Sequence, residues 1–535
     1  LATVADAIAA QLALAGGLRE QDFRLVADSG FGDGANSYAH SMAWFEGCLY
    51  VGSTRATFAM MRAMISLPDL EPWPILAADD VYDADRRAQI NRFDPKTGVW
   101  TRVYQAPWVP SRARRPVPRY VGFRGMAVFQ SPRDQKPCLY VSTWAPVQAE
   151  PPDILRCEDG THFDSVPRPP WDKSVRSFRT LQTFKGRVHT SPTGSNAGQG
   201  SRESVGSEAT IYSAADLHSG DWKAASPEGF GSKQNLTVFE MAEFNGHLYA
   251  GTVNAVGGCE LWKTDGAGGV PYQWKRVLAR GGDRGPFNEV VVSLQEFNGA
   301  LYVGTGIING GYHRELQVGP AAAEIIRVWP DDSWDLIVGH PRTTEQGLKV
   351  PLSGYSPGFD NLFNGYIWRM SVHDGWLYAG TFNWINMMPY LPLHKFPEDV
   401  LTLIRRWGAE ELVRNFGGCN LWRTQNGTTW ECTTRSGFQN KYNWGIRTMA
   451  STPYGLFVGT ANVFGPWVAA ERDGEWGHIP NDRAGLEVWL GAPGGPQVPR
   501  KPMRTEPAPI VDLIVGSEEE PAAAGAAAQH AGTGQ

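Results

Sequence analysis

Residues 294–305 read LQEFNGALYVGT, and this phrase decides the fold. Apolar and polar positions alternate through LQEF, Asn298-Gly299 forms a tight turn, and a second apolar run follows. Alternation on both sides of an Asn-Gly pair is the sequence form of a β-hairpin, because the favoured two-residue turns need positive φ at their central positions. The phrase recurs as MAWFEGCLYVGS at 42–53, MAEFNGHLYAGT at 241–252, MSVHDGWLYAGT at 370–381 and MASTPYGLFVGT at 449–460. Looser copies start at Met126 and Leu181. A second phrase follows most copies, an apolar-Trp strand, a Gly turn and another aromatic strand. It is clearest in Glu260-LWKTDGAGGVPYQWKRV and Asn420-LWRTQNGTTWECT, and weaker from Ile90, Ile154 and Ile325. Two hairpins per repeat make a four-stranded antiparallel sheet.

The expected fold is therefore all-β, a seven-bladed β-propeller of four-stranded antiparallel blades. The last repeat has a third strand at Gly485-LEVWLG but no fourth after it, whereas Phe23-RLVADSGF reads like the fourth strand in Trp430-ECTTRSGF. The N-terminal strand is expected to close the ring, since an open ring would leave unpaired sheet edges. The expected organisation is a helical extension over 1–22, the propeller over 23–491, and a disordered Pro/Gly/Ala-rich tail over 492–535. A bare blade needs about 40–50 residues, and several repeats are longer. The excess falls between second and third strands, at 53–89, 305–323, 382–418 and 461–484. Such loops share one face, which makes that face the place to look for function. The 382–418 insertion holds a helical stretch, Pro397-EDVLTLIRRWGAEELVRNF, ended by Gly417-Gly418.

Composition agrees and excludes several classes. Gly 61, Pro 38 and Trp 21 in 535 residues, with only 19 % charged residues, describe many short strands and turns. With 42 % hydrophobic residues the chain can bury a large core, so it is not disordered. No apolar run approaches 18 residues, so no membrane partner is expected. A net charge of −6 gives no reason to expect nucleic acid. Six scattered cysteines without C-x-x-C indicate neither a zinc ribbon nor a disulfide scaffold. The first residues have no basic lead, which favours a cytoplasmic protein and leaves open export with a removed leader.

The phrases Thr264-DGAGGVPYQW and Thr424-QNGTTW resemble, in degenerate form, the Asp-box turn of sialidase-like propellers, Ser/Thr-x-Asp-x-Gly-x-x-Trp. That turn implies fold and not activity. Sialidase-like enzymes also carry an arginine cluster on inner strands for a substrate carboxylate, which makes inner-strand arginines worth locating here.

Six residues before each hairpin anchor stand Asn36, Tyr120, Val175, Asn235, Asn288, Asn364 and Asn443. The asparagines read as turn-closing groups. Two residues before each anchor the pattern breaks into His40, Arg124, Arg179, Phe239, Val292, Trp368 and Arg447. Three arginines on consecutive or nearby blades suit a carboxylate or phosphate, because guanidinium forks bind such groups bidentately. The alternative is that they pair with Glu240, Glu289 or Asp residues inside the ring. His40 is the acid/base candidate, with Tyr38 and Tyr366 as assisting phenols. Second-strand exits add Arg55, Trp144, Asn254, Asn383, Trp384 and Asn462, which with Trp368 make a mixed aromatic and amide surface for a polar ligand. The alternative is that these groups only pack the insertions.

No catalytic metal or cofactor is expected, because only His40 among the histidines lies at an inner-strand ligand position; a structural axial ion such as calcium is the exception left open. Two functions follow from this reading. One is an enzyme of the hydrolase or lyase class acting on an anionic or polar small molecule, carboxylate- or sugar-containing, in the central funnel. The other is a non-catalytic scaffold presenting its decorated face to a protein or glycan. Oligomeric state is not readable from the sequence.

Overall fold

The computed structural model describes residues 16–64, 70–78, 80, 82–111, 114–167, 174–194, 209–308, 310–313, 316–392 and 398–493. Of the helical extension expected over 1–22, residues 1–15 fall outside them and Glu20–Asp22 form a short 3-10 turn; the tail expected to be disordered over 492–535 falls outside them from residue 494 on.

The repeats fold as antiparallel sheets of four strands. Asn36–Phe45, Cys48–Arg55, Gln89–Asp94 and Val99–Gln105 make the first. Gly122–Phe129, Cys138–Trp144, Ile154–Cys157 and Asp164–Ser165 make the second. The third comprises Gln182–Phe184, Arg187–Thr190, Tyr212–Ala214 and Lys223–Ala224. Its outer strands lack the aromatic phrase of the others and were not legible in the sequence. Thr237–Phe244, His247–Val253, Leu261–Thr264 and Lys275–Leu278 form the fourth. The fifth comprises Val290–Phe297, Ala300–Gly306, Ile325–Val328 and Trp334–Val338. Asn364–His373, Trp376–Asn383, Leu421–Thr424 and Glu431–Thr434 form the sixth. Gly445–Thr452, Gly455–Ala461 and Val488–Gly491 pair in turn, and Phe23–Ala27 lies antiparallel to the last of these, with Phe23 opposite Gly491.

Neighbouring sheets meet where a second strand ends. Thr54 bridges to Gly122, Trp144 to Ser177, Val253 to Val290, Gly306 to Tyr366, Phe382 to Gly445 and Ala461 to Tyr38. The glycine of the LYVGT phrase allows this approach. A Cβ on Gly251 would lie 2.3 Å from Val291 Cβ, on Gly380 2.5 Å from Ile446 Cβ, and on Gly459 2.6 Å from Ala39 Cβ.

A polar knot recurs where the chain enters a sheet. Asn36, Asn235, Asn288, Asn364 and Asn443 are buried. Each amide donates to the carbonyl of Gly30, Gly229, Gly281, Gly358 or Gly437 at 2.8–3.0 Å. It also donates to a side chain heading the third strand, Gln89, Glu260, Glu324, Asn420 or Glu487, at 2.6–3.1 Å. Its oxygen accepts from Ser53, Thr252, Thr305, Thr381 or Thr460 of the second strand at 2.8–3.3 Å. That hydroxyl in turn accepts the backbone N–H of the third-strand residue at 2.9–3.0 Å.

The turn held by the knot is strained. Gly and Phe both take positive φ at Gly229-Phe230 (57°, 52°), Gly358-Phe359 (67°, 58°) and Gly437-Phe438 (60°, 57°). A non-Gly residue there costs on the order of 1 kcal/mol. Each Phe stacks on a third-strand Trp, with centroids 4.9 Å apart for Phe230–Trp262, 4.2 Å for Phe359–Trp422 and 4.8 Å for Phe438–Trp489. Such a pair offsets a cost of that size. At Gly281-Gly282 the Phe is missing, and Ile326 replaces the Trp.

The insertions pack into one superstructure. Helix α1 (Thr57–Met64) follows the first hairpin. The expected single helical stretch in 382–418 is two helices, α2 (Glu398–Trp407) and α3 (Ala409–Phe416), broken at Gly408 with φ 81°. The 461–484 insertion carries a hairpin, Trp467–Arg472 with Glu475–Pro480. Glu71 N donates to Tyr390 O at 3.1 Å, Leu76 N to Trp467 O at 3.1 Å and Ala469 N to Pro74 O at 2.9 Å, binding three insertions together. Among the described residues no helix is long and apolar enough to cross a membrane.

Replacing Asn364 with Ala strands Gly358 O, the Asn420 amide oxygen and the Thr381 hydroxyl. Urea unfolding should register a loss of roughly 3 kcal/mol; an unchanged midpoint would mean that the knot does not hold the sheet.

Candidate functional site

The residues two before each anchor are set apart by a backbone feature. In the first strand of every sheet but the third the register slips by one at that position. Ala39 faces Ser53 and Ser41 faces Gly52, which leaves His40 as the extra residue. The same slip isolates Arg124, Phe239, Val292, Trp368 and Arg447. Arg179 lies in the break between Ser177–Phe178 and Gln182–Phe184. A β-bulge re-aims the side chain of its extra residue, so these residues form a tier of their own.

Each arginine of the tier lies over an aromatic ring. The Arg124 guanidinium carbon is 4.0 Å from the Trp144 ring centre, that of Arg179 3.5 Å from Phe239 and that of Arg447 5.4 Å from Trp368. Trp144 also meets His40 edge-on at 6.5 Å, and Tyr38 lies between His40 and Trp368 at 5.8 Å from each. Tyr366 packs against Trp368 at 5.6 Å, and its hydroxyl accepts the Gly310 N–H at 2.8 Å. Arg124, Arg179, Arg447, His40, Tyr38, Tyr366, Trp144 and Trp368 therefore come together.

The charges in this cluster do not balance. Glu240 pairs at 2.9 Å with Arg369, the residue after Trp368, and not with an arginine of the tier. Among the described residues the guanidinium groups of Arg179 and Arg447 make no hydrogen bond and no ion pair. Burial, with Arg124 and Arg447 nearby, pushes Arg179 well below the ordinary arginine value. Burial, with Arg369 nearby, lowers Arg447 to about 10. Yet Arg179 and Arg447, with Phe239, Tyr366 and Arg369, are only half-buried by surface, so they border accessible space inside the structure.

His40 answers to the same field. Burial first, then Arg447, Arg124 and Arg179, hold it well below the usual histidine value, so the ring is neutral at physiological pH. Its Nδ1 lies 2.5 Å from Thr54 Oγ1, and its buried Nε2 has no hydrogen-bond partner. In the tautomer in which Nδ1 donates to Thr54 Oγ1, Nε2 is an open acceptor. Burial raises the Tyr38 phenol, with Tyr366 adding to the shift, so it too stays protonated.

The other sequence candidates serve the scaffold. Arg55 spends its guanidinium on Asp33 at 2.5 Å and on the Asp85 carbonyl at 2.8 Å. Asn254 bonds Asn235 and the Gly257 N–H. Asn383 ties the Phe416 carbonyl at the end of α3, and Asn462 ties the Arg483 carbonyl. Trp384 is buried against Phe363 in the apolar cluster of the insertions. These groups hold the insertions in place, and that cluster packs on Tyr38, Phe239, Tyr366 and Trp368 from one side.

Among the described residues no group of three or more His, Cys, Asp or Glu side chains is arranged to hold a metal. Glu289, named in the sequence as a counter-charge, is instead buried and makes no ion pair among the described residues. Burial raises its carboxyl to about 8, although the Ile308 N–H donates to it at 3.2 Å.

No protein-family model matches the chain. No curated protein matches it either. The solved structures that it matches are β-propeller proteins. A Mycobacterium tuberculosis puromycin-hydrolyzing peptidase is 12 % identical over 82 % of this chain and 61 % of its own, with a TM-score of 0.36. A Penicillium chrysogenum alpha-L-arabinanase complexed with arabinobiose is 11 % identical over 68 % and 93 %, with a TM-score of 0.34. A chain of a nidogen/laminin complex is 10 % identical over 56 % and 87 %, with a TM-score of 0.31. At such TM-scores these likenesses carry no inference about activity.

The raised Glu289 carboxyl makes a signed prediction. Between an unfolded value of about 4.3 and the folded value of about 8 the native state keeps a proton that the unfolded chain loses, so stability falls as pH rises through that window. Glu289→Gln should remove this penalty, raising stability by ~3 kcal/mol at pH 7 and by little at pH 4. Urea titrations at both pH values check it; an equal effect at the two would mean that Glu289 is ionised in the fold.

Proposed function

We propose that the sheets close into a seven-bladed propeller and that the protein binds a small anionic molecule on the arginine tier at its centre, acting on it by acid/base chemistry. The antiparallel pairing of Phe23–Ala27 with Val488–Gly491 and the bridge from Ala461 to Tyr38 support the closed ring. The observation that carries the anion is the pair of guanidinium groups, Arg179 and Arg447, left without an ion pair in a region of low dielectric. Glu240 acts on both from beyond ion-pair distance, and an anion of the ligand would supply the charge-assisted, bidentate bonds that neither guanidinium makes.

His40 then acts as the base, with Nε2 accepting a proton from the bound molecule. Burial is the first cause of its lowered value, and negative charge arriving beside Arg124, Arg179 and Arg447 relieves the part that those arginines add, so its proton affinity rises when ligand binds. The Tyr38 and Tyr366 phenols donate hydrogen bonds to polar atoms of the ligand. The insertion cluster packed over Tyr38, Phe239, Tyr366 and Trp368 favours this reading over a scaffold, since it covers the tier instead of presenting it.

Arg179→Met and Arg447→Met provide the test. Each should leave thermal stability in anion-free buffer unchanged or higher, because a destabilising charge is gone. Each should also abolish the rise in melting temperature that phosphate or sulfate gives the parent protein. Lower stability with an intact anion response would overturn the proposal.

A further inference from the structure

A second level of residues lies next to the tier, and one charged pair in it narrows the ligand class. Immediately after the tier residue, most sheets carry a small side chain, Ser41, Gly125, Thr180, Ser293 or Thr448, whereas the fourth carries Glu240 and the sixth Arg369. Ser41 and Ser293 spend their hydroxyls on the carbonyls of Phe123 and Ile367 in the next sheet, at 2.7 Å each. Glu240 instead reaches past the fifth sheet to Arg369, with Oε2 2.9 Å from Nη1. Its other oxygen accepts the Met241 N–H at 3.2 Å. A carboxylate has about four acceptor positions, so these two bonds leave acceptor capacity unused. Glu240, like Arg179, Arg369 and Arg447, is only half-buried and borders the same accessible space.

We infer that Glu240 sets the specificity of the site, for a small carboxylate that carries a hydroxyl beside it, a hydroxy acid. This rests on the anion-binding reading above and names its ligand class. Glu240 acts on Arg179 and Arg447 alike, so an anion held by those guanidinium groups lies within reach of its field. A carboxylate so placed repels a second anionic group, and a ligand gains from it only by donating a hydrogen bond. A hydroxyl donates without bringing charge. An ammonium donates too, but it would enter the field of Arg124, Arg179 and Arg447 that already acts against positive charge on His40. A ligand without a donor would desolvate Glu240 and leave it unpaired on that side, which is how a polar site rejects an analogue that lacks the matching group.

Isothermal titration of the full chain at pH 7 with glycolate, acetate and glycine tests this, with Glu240→Ala and Arg179→Met beside the parent. Glycolate should bind at least about tenfold more tightly than acetate, from one hydrogen bond to a charged acceptor, and more tightly than glycine. Glu240→Ala should bring glycolate and acetate to near-equal affinity without weakening acetate; the parent comparison decides by itself if that variant does not fold. Acetate equal to glycolate in the parent, or a preference for glycolate that survives Glu240→Ala, would overturn the role of Glu240, and glycine tighter than glycolate would overturn the hydroxyl. Those results leave an anion site standing. Absence of binding by all three, or binding that Arg179→Met does not weaken, would remove the anion site itself.

Discussion

A buried asparagine side chain, repeated from sheet to sheet, holds the strands to the turn that enters them. In one amide it joins the carbonyl of a left-handed glycine, a hydroxyl of the second strand and a polar group of the third. Buried amides are costly unless satisfied, and these have partners at both ends, so each knot fixes the order and register of three strands at once. The Phe beside the glycine then seals the turn against a Trp. Where the third strand lacks the Trp the seal differs, with Phe31 packed on Trp100 of the fourth strand in the first sheet and Gly282 in place of the Phe in the fifth.

The candidate site is a consequence of this frame. With strand register pinned at the knot and neighbouring sheets in contact at the LYVGT glycine, one extra residue between those two points has to bulge. The scaffold thereby presents one side chain per sheet at a common level, and its identity changes from sheet to sheet. Glycines and asparagines repeat around the molecule, whereas the bulged position runs from Arg to His to Phe to Val. A repeat protein that varies only where its backbone is irregular places its chemistry there.

The knots and the hairpins were legible in the sequence because they repeat. The asparagines stood six residues before each anchor, and their turn-closing role is what the hydrogen bonds display. The tier was legible as a list of residues but not as a bulge, since an extra residue in a strand has no composition of its own. Asn383, Asn462 and Arg55 looked like ligand groups because their partners, the carbonyls of Phe416 and Arg483 and the carboxylate of Asp33, come from loops that spacing cannot locate. Glu289 looked like a counter-charge, and only the fold reveals that it is isolated from the arginines. Gly408 split a helix whose apolar pattern continued through it, because positive φ there is a backbone property that periodicity does not register.

The central claim is that Arg179 and Arg447 await an anion. Anomalous diffraction from crystals soaked in selenate measures this most directly. The account predicts a selenium peak within hydrogen-bond reach of both guanidinium groups and close to His40 Nε2. Peaks confined to surface lysines and arginines, with Arg179 and Arg447 turned onto carboxylates of the protein, would contradict it.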